Sequence, residues 1–324
     1  MTSAAIGDVV LEVDNLSTVF ELKAGVARPV NGVNFQLRRG EILGVVGESG
    51  SGKSVTGLSI LGLIDPPGRI ESGAIRLNGL DLTKIDESEM RRHRGRSVSM
   101  IFQDPMTTLN PVLTIGRQFF DVLRAHRNVG REEAMTIAEG ALERVGIPAP
   151  RLRLSSYPHE LSGGMRQRVC IAIALACGPD VIIADEPTTA LDVTIQSQIL
   201  NLVQTLVRQN DAALVWITHD LSVVAGLCDR VAVMYAGRIV EIGSVKEVLD
   251  RPRHPYTIGL INSIPGDAPP GGRLSQIPGG PPSPFRLPPG CAFAPRCAKA
   301  ATICETNPPS LGGPEYSVRC HFPA

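Results

Sequence analysis

Glycine, serine and lysine crowd into Gly47-Glu48-Ser49-Gly50-Ser51-Gly52-Lys53-Ser54, a composition suited to holding phosphate oxygens. Glycines let successive backbone N–H groups turn inward around an anion, and a following helix adds the positive end of its dipole. In such a loop Gly47, Ser49, Gly50 and Gly52 form the cradle, Lys53 reaches the β- and γ-phosphates, and the Ser54 hydroxyl ligates Mg²⁺. The flanks agree. Ile42-Leu43-Gly44-Val45-Val46 is apolar enough for a buried strand, and Val55 to Ile64 reads as a helix, the order a P-loop requires. A second group is Val181-Ile182-Ile183-Ala184-Asp185-Glu186, an apolar strand ending in two carboxylates. Such a pair is costly unless it meets a cation or does chemistry. Asp185 suits a direct or water-mediated Mg²⁺ contact, and Glu186 suits polarising an attacking water. His219 follows the strand Leu214 to Ile217, at the sheet edge where α/β folds bind ligands.

The remaining chain must position these groups. Val9 to Val13 and Val33 to Leu37 alternate like half-buried strands, and Ala74 to Leu77 and Val98 to Phe102 read as further strands. Phe20 stands between the first two, where its ring either stacks on a base or joins the core. Gln103 directly follows Val98 to Phe102. From Ile115 to Gly146 the period is helical, with Ala134, Ile137, Ala138, Ala141, Leu142 and Val145 on one face. Leu161-Ser162-Gly163-Gly164-Met165 opens another helix, reaching about Cys177. It is either a second anion-binding cap or a flexible helix start. Val231 to Tyr235 and Arg238 to Ile242 flank Ala236-Gly237 as a β-hairpin. The regular domain ends near Asp250, and residues 265 to 290 turn rich in proline and glycine, a linker or a wrapping arm.

Bulk properties narrow the classes. At 324 residues the chain has room for about two domains. It carries 32 basic and 32 acidic residues and only 4% aromatics. That balance argues against a nucleic-acid binder. No apolar run approaches the roughly 18 residues that span a bilayer. The start of the chain carries Asp8, Glu12 and Asp14 and does not read as a signal peptide, so a cytoplasmic location is expected.

Taken together and in order, these stretches resemble the ATP-binding subunit of an ABC transporter, and specifically the oligopeptide/dipeptide importer subfamily. Gly47 to Ser54 resembles the Walker A loop, Gln103 the Q-loop glutamine, Leu161 to Met165 the signature, Val181 to Glu186 Walker B, Ala190-Leu191-Asp192 the D-loop, and His219 the switch histidine. Phe20 falls where the family places its adenine-stacking aromatic. Ser156 to Met165, His254-Pro255-Tyr256-Thr257 and the cysteine-bearing tail are similar in wording to the peptide importers. Met165 departs from the usual Gln.

The resemblance implies an α/β fold: a P-loop NTPase, RecA-like core with an antiparallel β-subdomain and a helical subdomain. The ATP-binding domain would cover 1–250, its helical subdomain about 104–165, and a loop-rich four-cysteine extension 251–324. It also implies ATP and Mg²⁺, the ion held by Ser54, Gln103 and Asp185, with Glu186, His219 and Gln103 in catalysis. A second ATPase subunit, expected to be a different chain, would face this one, so that Ser162, Gly163, Gly164 and Asp192 serve the neighbour's nucleotide. Two permeases and an extracytoplasmic peptide-binding protein would complete a complex at the cytoplasmic face of the inner membrane. The isolated chain would then bind ATP better than it hydrolyses it. Related importers carry nickel or glutathione. A soluble ABC ATPase acting on DNA or ribosomes would show fused domains, coiled coils or basic arms. A regulatory subunit with a degenerate site would lack some of Lys53, Asp185, Glu186 and His219.

Seven cysteines remain. Cys170, Cys177 and Cys228 stand singly in apolar surroundings, as small core residues do. Cys291, Cys297, Cys304 and Cys320 fall in the last 34 residues, with five, six and fifteen residues between them. Structural zinc prefers closer pairs, and a reducing cytosol disfavours disulfides. Four thiolates in a loop-rich tail fit a [4Fe–4S] cluster, which subfamily members with similar tails carry. Zinc, free thiols or a disulfide are the alternatives.

Overall fold

Period-2 alternation survives in the first strand only up to Val13, because a bulge interrupts it. The computed structural model describes residues 7–189, 191–264, 276–312 and 316–324. Its strands are β1 (Val9–Leu22), β2 (Gly25–Arg38), β3 (Ile42–Val46), β4 (Gly68–Leu77), β5 (Leu80–Asp81), β6 (Val98–Ile101), β7 (Val181–Asp185), β8 (Ala213–Thr218), β9 (Arg230–Tyr235), β10 (Arg238–Ser244) and β11 (Ser317–Val318). By its contacts the chain divides into two compact units, one of residues up to 10, 38–41 and 84–216, the other of residues 11–37, 42–83 and 217–324. The division falls within β8. No helix among the described residues is long and apolar enough to cross a membrane.

In the first unit β8, β7 and β6 lie side by side. β6 and β7 run parallel, from Val98 opposite Val181 to Ile101 opposite Ala184. All five residues of β7 are buried. It reads as an unbroken apolar run because both of its faces are covered. The helical period seen over 115–146 resolves into two helices, Ile115–His126 and Arg131–Arg144. Thr114 caps the first by accepting from the Arg117 N–H, and Gly130 starts the second. Ala134, Ala138, Ala141, Leu142 and Val145 are buried as the pattern requires, while Ile137 is half-buried. The helix Gly163–Leu175 packs against this pair and stops two residues short of Cys177.

In the second unit a four-stranded sheet has the order β2-β1-β4-β5. β1 and β4 are antiparallel, Leu11 facing Leu77 and Phe20 facing Gly68. The register shifts between Asp14 and Ser17, beside Asn15 at φ 47°. That extra residue flips the inward face and hides the true length of the strand from the sequence pattern. The other strands of this unit run β11-β10-β9-β3. β3 and β9 are parallel, and the hairpin of β9 and β10 turns at Ala236 (φ 47°) and Gly237 (φ 80°), the two positive φ values of a tight hairpin turn. β11 pairs with β10, Glu241 opposite Val318 and Ile242 opposite Ser317.

Ile183 is fully buried at the middle of β7. Ile183→Ala should therefore lower unfolding stability by about 2–5 kcal/mol, read as an earlier urea midpoint at an unchanged slope.

Candidate functional site

The phosphate loop follows β3 and enters the helix Lys53–Ile60, whose N-cap is Gly52. Two of its glycines cannot be replaced. Gly52 has φ +100°, and a Cβ there would run into the Pro29 carbonyl; at Gly47 a Cβ would run into the Met234 carbonyl. The loop is gripped from outside at its middle, where Gly237 N–H donates to the Ser51 carbonyl at 2.9 Å. Lys53, 5% exposed, folds its ammonium back over the loop and donates to the carbonyls of Gly47 (2.8 Å) and Glu48 (3.0 Å). This is a closed cradle with its cation at the centre. Ser49, Gly50 and Ser54 are exposed on it.

In the same unit Phe20 is half-buried. Glycine at 68 leaves room for its ring, since a Cβ there would lie 2.6 Å from Phe20 Cε1. His219 is exposed just beyond β8. Next to it, Asp220 N–H donates to Thr218 Oγ1 (3.1 Å), and the Asp220 carboxylate caps the helix Leu221–Leu227.

The carboxylate pair lies in the first unit. Asp185 ends β7 and is 7% exposed. Glu186 takes φ +43°, a left-handed conformation that a non-glycine residue adopts at a cost. Its Oε2 accepts from Thr189 Oγ1 at 2.9 Å and from the Gln103 amide at 3.4 Å. Gln103 and Glu186, 83 positions apart, are thus brought together. The same unit holds Ser162, whose hydroxyl caps the helix Gly163–Leu175 by accepting from Met165 N–H. Asp192 caps the helix Val193–Gln209 through Ile195 N–H at 2.9 Å. A Cβ on Gly164 would touch Ile195, so these two helix starts are neighbours. Ser162, Asp192 and Val193 are exposed there, Val193 by 79%. Ala190 of the expected D-loop lies outside the described residues.

Cys170 and Cys177 are buried and Cys228 half-buried. Burial pushes the Cys170 thiol up to about 12 and raises Cys177 and Cys228 as well, so these three are inert packing groups. Cys291, Cys297, Cys304 and Cys320 instead line one cavity, with His254, Phe293 and His321. Burial raises the Cys291 and Cys320 thiols, and the neighbouring cysteines add to it. His254 is 1% exposed. Its Nδ1 accepts from Tyr256 N–H at 3.0 Å, which leaves the neutral ring's proton on Nε2. Nε2 makes no formed hydrogen bond, although the Arg319 carbonyl is near. Among the described residues, no three His, Cys, Asp or Glu side chains converge as closely as one metal ion needs.

Reading by residue type alone missed Glu48, Arg296 and Tyr256. The Arg296 guanidinium forms a two-pronged bond with the Glu48 carboxylate, at 2.8 and 3.0 Å. Tyr256 Oη accepts from Glu48 N–H at 2.9 Å. The one signal in the sequence is an acid inside a phosphate loop, where its charge needs a partner.

Comparison with known proteins adds findings of three kinds. A family pattern described as ABC transporter matches residues 30–189, and one described as the C-terminal region of oligopeptide/dipeptide transporters matches residues 240–304. The chain is 49% identical over 302 residues to the oligopeptide transport ATP-binding protein OppD of Escherichia coli, covering 93% of this chain and 89% of that one. It is 48% identical over 314 residues to the dipeptide transport ATP-binding protein DppD of Bacillus subtilis, covering 96% and 94%. Among solved structures, the ATP-binding cassette MJ0796, dimeric in a post-hydrolysis state bound to ADP and Pi, matches with a TM-score of 0.66 at 26% identity, over 72% of this chain and 98% of that one.

Because two backbone carbonyls crowd the loop glycines, Gly52→Ala should abolish nucleotide binding in a fluorescent-nucleotide titration. Ser49→Ala, at an exposed position, should weaken it less than tenfold, the scale of one neutral hydrogen bond.

Proposed function

The chain belongs to the ABC transporter family, among the ATP-binding subunits of oligopeptide and dipeptide transporters, and from that premise we propose that it hydrolyses ATP to energise uptake of di- or oligopeptides. One observation carries the peptide assignment: the phosphate cradle and a peptide-transporter C-terminal region occur in one chain. Lys53 and Ser54 hold the phosphates and Mg²⁺, with Asp185 and Gln103 completing the ion's environment. Glu186 polarises the attacking water and His219 holds the γ-phosphate end. Phe20 stacks on the adenine. The strained Glu186 backbone and its bonds to Gln103 and Thr189 support a carboxylate held in one orientation.

Ser162, Gly163, Gly164 and Asp192 serve the nucleotide of a second ATPase subunit. Support comes from their neighbouring, exposed helix starts with an apolar Val193 beside them, a surface that calls for a partner. Two permeases and an extracytoplasmic peptide-binding protein complete the importer, which places this chain at the cytoplasmic face of the membrane.

For the extension, we propose that Cys291, Cys297, Cys304 and Cys320 hold a [4Fe–4S] cluster. Support comes from the donor set: four cysteine sulfurs line one cavity, the ligand complement such a cluster takes. His254 lines the same cavity, and Arg238 and Arg319 line a second one that Cys291 shares. Bound there, the cluster supplies a structural cross-link between loops.

Glu186→Gln should leave ATP affinity within about twofold of wild type while hydrolysis falls by about two orders of magnitude or more. Normal turnover in that variant removes Glu186 from the mechanism. Protein purified without oxygen should be brown and contain iron and sulfide, and Cys297→Ser should lose the colour. Bound zinc without iron, or no metal at all, would overturn the cluster.

A further inference from the structure

Glu48 puts a negative charge inside a loop built to bind several others. Left unpaired, it would repel the phosphates its own backbone attracts. The structure answers with Arg296, from the cysteine-bearing extension 248 positions away. Both prongs of the guanidinium meet the carboxylate, at 2.8 and 3.0 Å, and the side chains are 6% and 26% exposed. Arg296 has little freedom to do anything else. Its Nε donates to the Pro278 carbonyl at 2.8 Å and Nη1 to Tyr235 Oη at 3.3 Å. The guanidinium lies 5.7 Å over the Tyr235 ring and 5.8 Å over the Phe293 ring.

A second strut reaches the same loop residue. Glu48 N–H donates outward to Tyr256 Oη, and Tyr256 is tied through its own N–H to His254, a wall of the cysteine cavity. Tyr235, Tyr256 and Phe293 pack together tilted or edge to face, with ring centroids 4.6 to 5.4 Å apart. Arg296 precedes Cys297 in a short turn, Ala294–Arg296, that hangs from Cys291 through Ala294 N–H to the Cys291 carbonyl. Cys291 in turn donates its N–H to the Cys304 carbonyl at 2.7 Å. A shift in the spacing of these cysteines must therefore move the guanidinium that neutralises the phosphate loop.

We propose that Arg296 is a positioning residue for the phosphate loop, and that through it the state of the four-cysteine cavity sets the affinity for ATP. The first half stands on the geometry alone; the second rests on the cluster reading above. Linkage makes the effect reciprocal, so bound nucleotide protects the cysteine site by the same factor by which a filled cysteine site tightens nucleotide binding.

The test uses the full chain and an ATP analogue that is not hydrolysed. Arg296→Ala should raise its Kd about tenfold or more, because it strands a half-buried carboxylate beside the phosphates. Glu48→Gln combined with Arg296→Ala should bind close to Glu48→Gln alone, since no charge is left to neutralise. Arg296→Lys, which keeps the charge and loses the fork, should fall between wild type and Arg296→Ala and serves if the alanine variant does not fold. Wild-type affinity in Arg296→Ala, or losses that simply multiply in the double variant, would overturn the positioning role. For the second half, wild-type protein is compared after loading with iron and sulfide and after stripping with a chelator and oxidant. The loaded form should bind the analogue several-fold tighter, and the analogue should slow loss of the brown colour. Equal Kd values in demonstrably loaded and stripped protein overturn the coupling. Failure to take up iron overturns the cluster reading and leaves the positioning role to the mutant cycle.

Discussion

A polyphosphate is held by backbone N–H groups that all point one way, and this constraint governs the second unit of the chain. The loop that does it has no side-chain core of its own. Gly47 and Gly52 stand where the Met234 and Pro29 carbonyls leave no room for a Cβ, so the loop is shaped from outside by its neighbours. β9 and β10 supply much of that mould: Met234 belongs to β9, and Gly237 of the hairpin turn grips Ser51. Lys53 fills the centre of the mould by bonding to the loop's own carbonyls. A cation so held is already aimed when phosphate arrives, which lowers the ordering cost of binding.

The carboxylate pair obeys a different rule. Asp185 and Glu186 are adjacent in sequence and opposite in backbone. Asp185 completes a buried strand, whereas Glu186 leaves it in a left-handed conformation. The turn separates the two acids into two environments, one buried and one shared with Gln103 and Thr189. Separation of environment is what lets neighbouring acids take different tasks.

Much of this was legible in the residues. The phosphate loop, the strand before Asp185, the capping serine at 162 and the hairpin around Ala236-Gly237 all announce themselves locally, because each depends on residues within a few positions of one another. The full length of β1 was hidden by its bulge, which reverses the inward face at Asn15. The helical period of 115–146 did not show where the first helix ends and the second begins, at Gly130. β11 is two residues long and carries no pattern at all. Arg296 was invisible as a partner of Glu48 for a plainer reason. Pairing across 248 positions leaves no trace in spacing, and an arginine between a proline and a cysteine looks like any solvated charge.

The extension is therefore better understood by what it completes than by its composition. β10 would be an edge strand without it, and an uncovered edge invites pairing with foreign chains. β11 covers that edge. Glu241, on β10, is fully buried and would be ruinous unpaired. It accepts from Arg253 N–H, His254 N–H and Tyr316 Oη at 2.7, 3.0 and 2.5 Å, all donors from beyond residue 250. Glu48 repeats the same logic within the phosphate loop, with Arg296 and Tyr256 as its partners. Among the described residues, two carboxylates rooted in the nucleotide-binding half of this unit thus find partners in the tail. Removing the tail would strip both carboxylates of these partners, so the extension is part of what holds the phosphate loop and β10 in place.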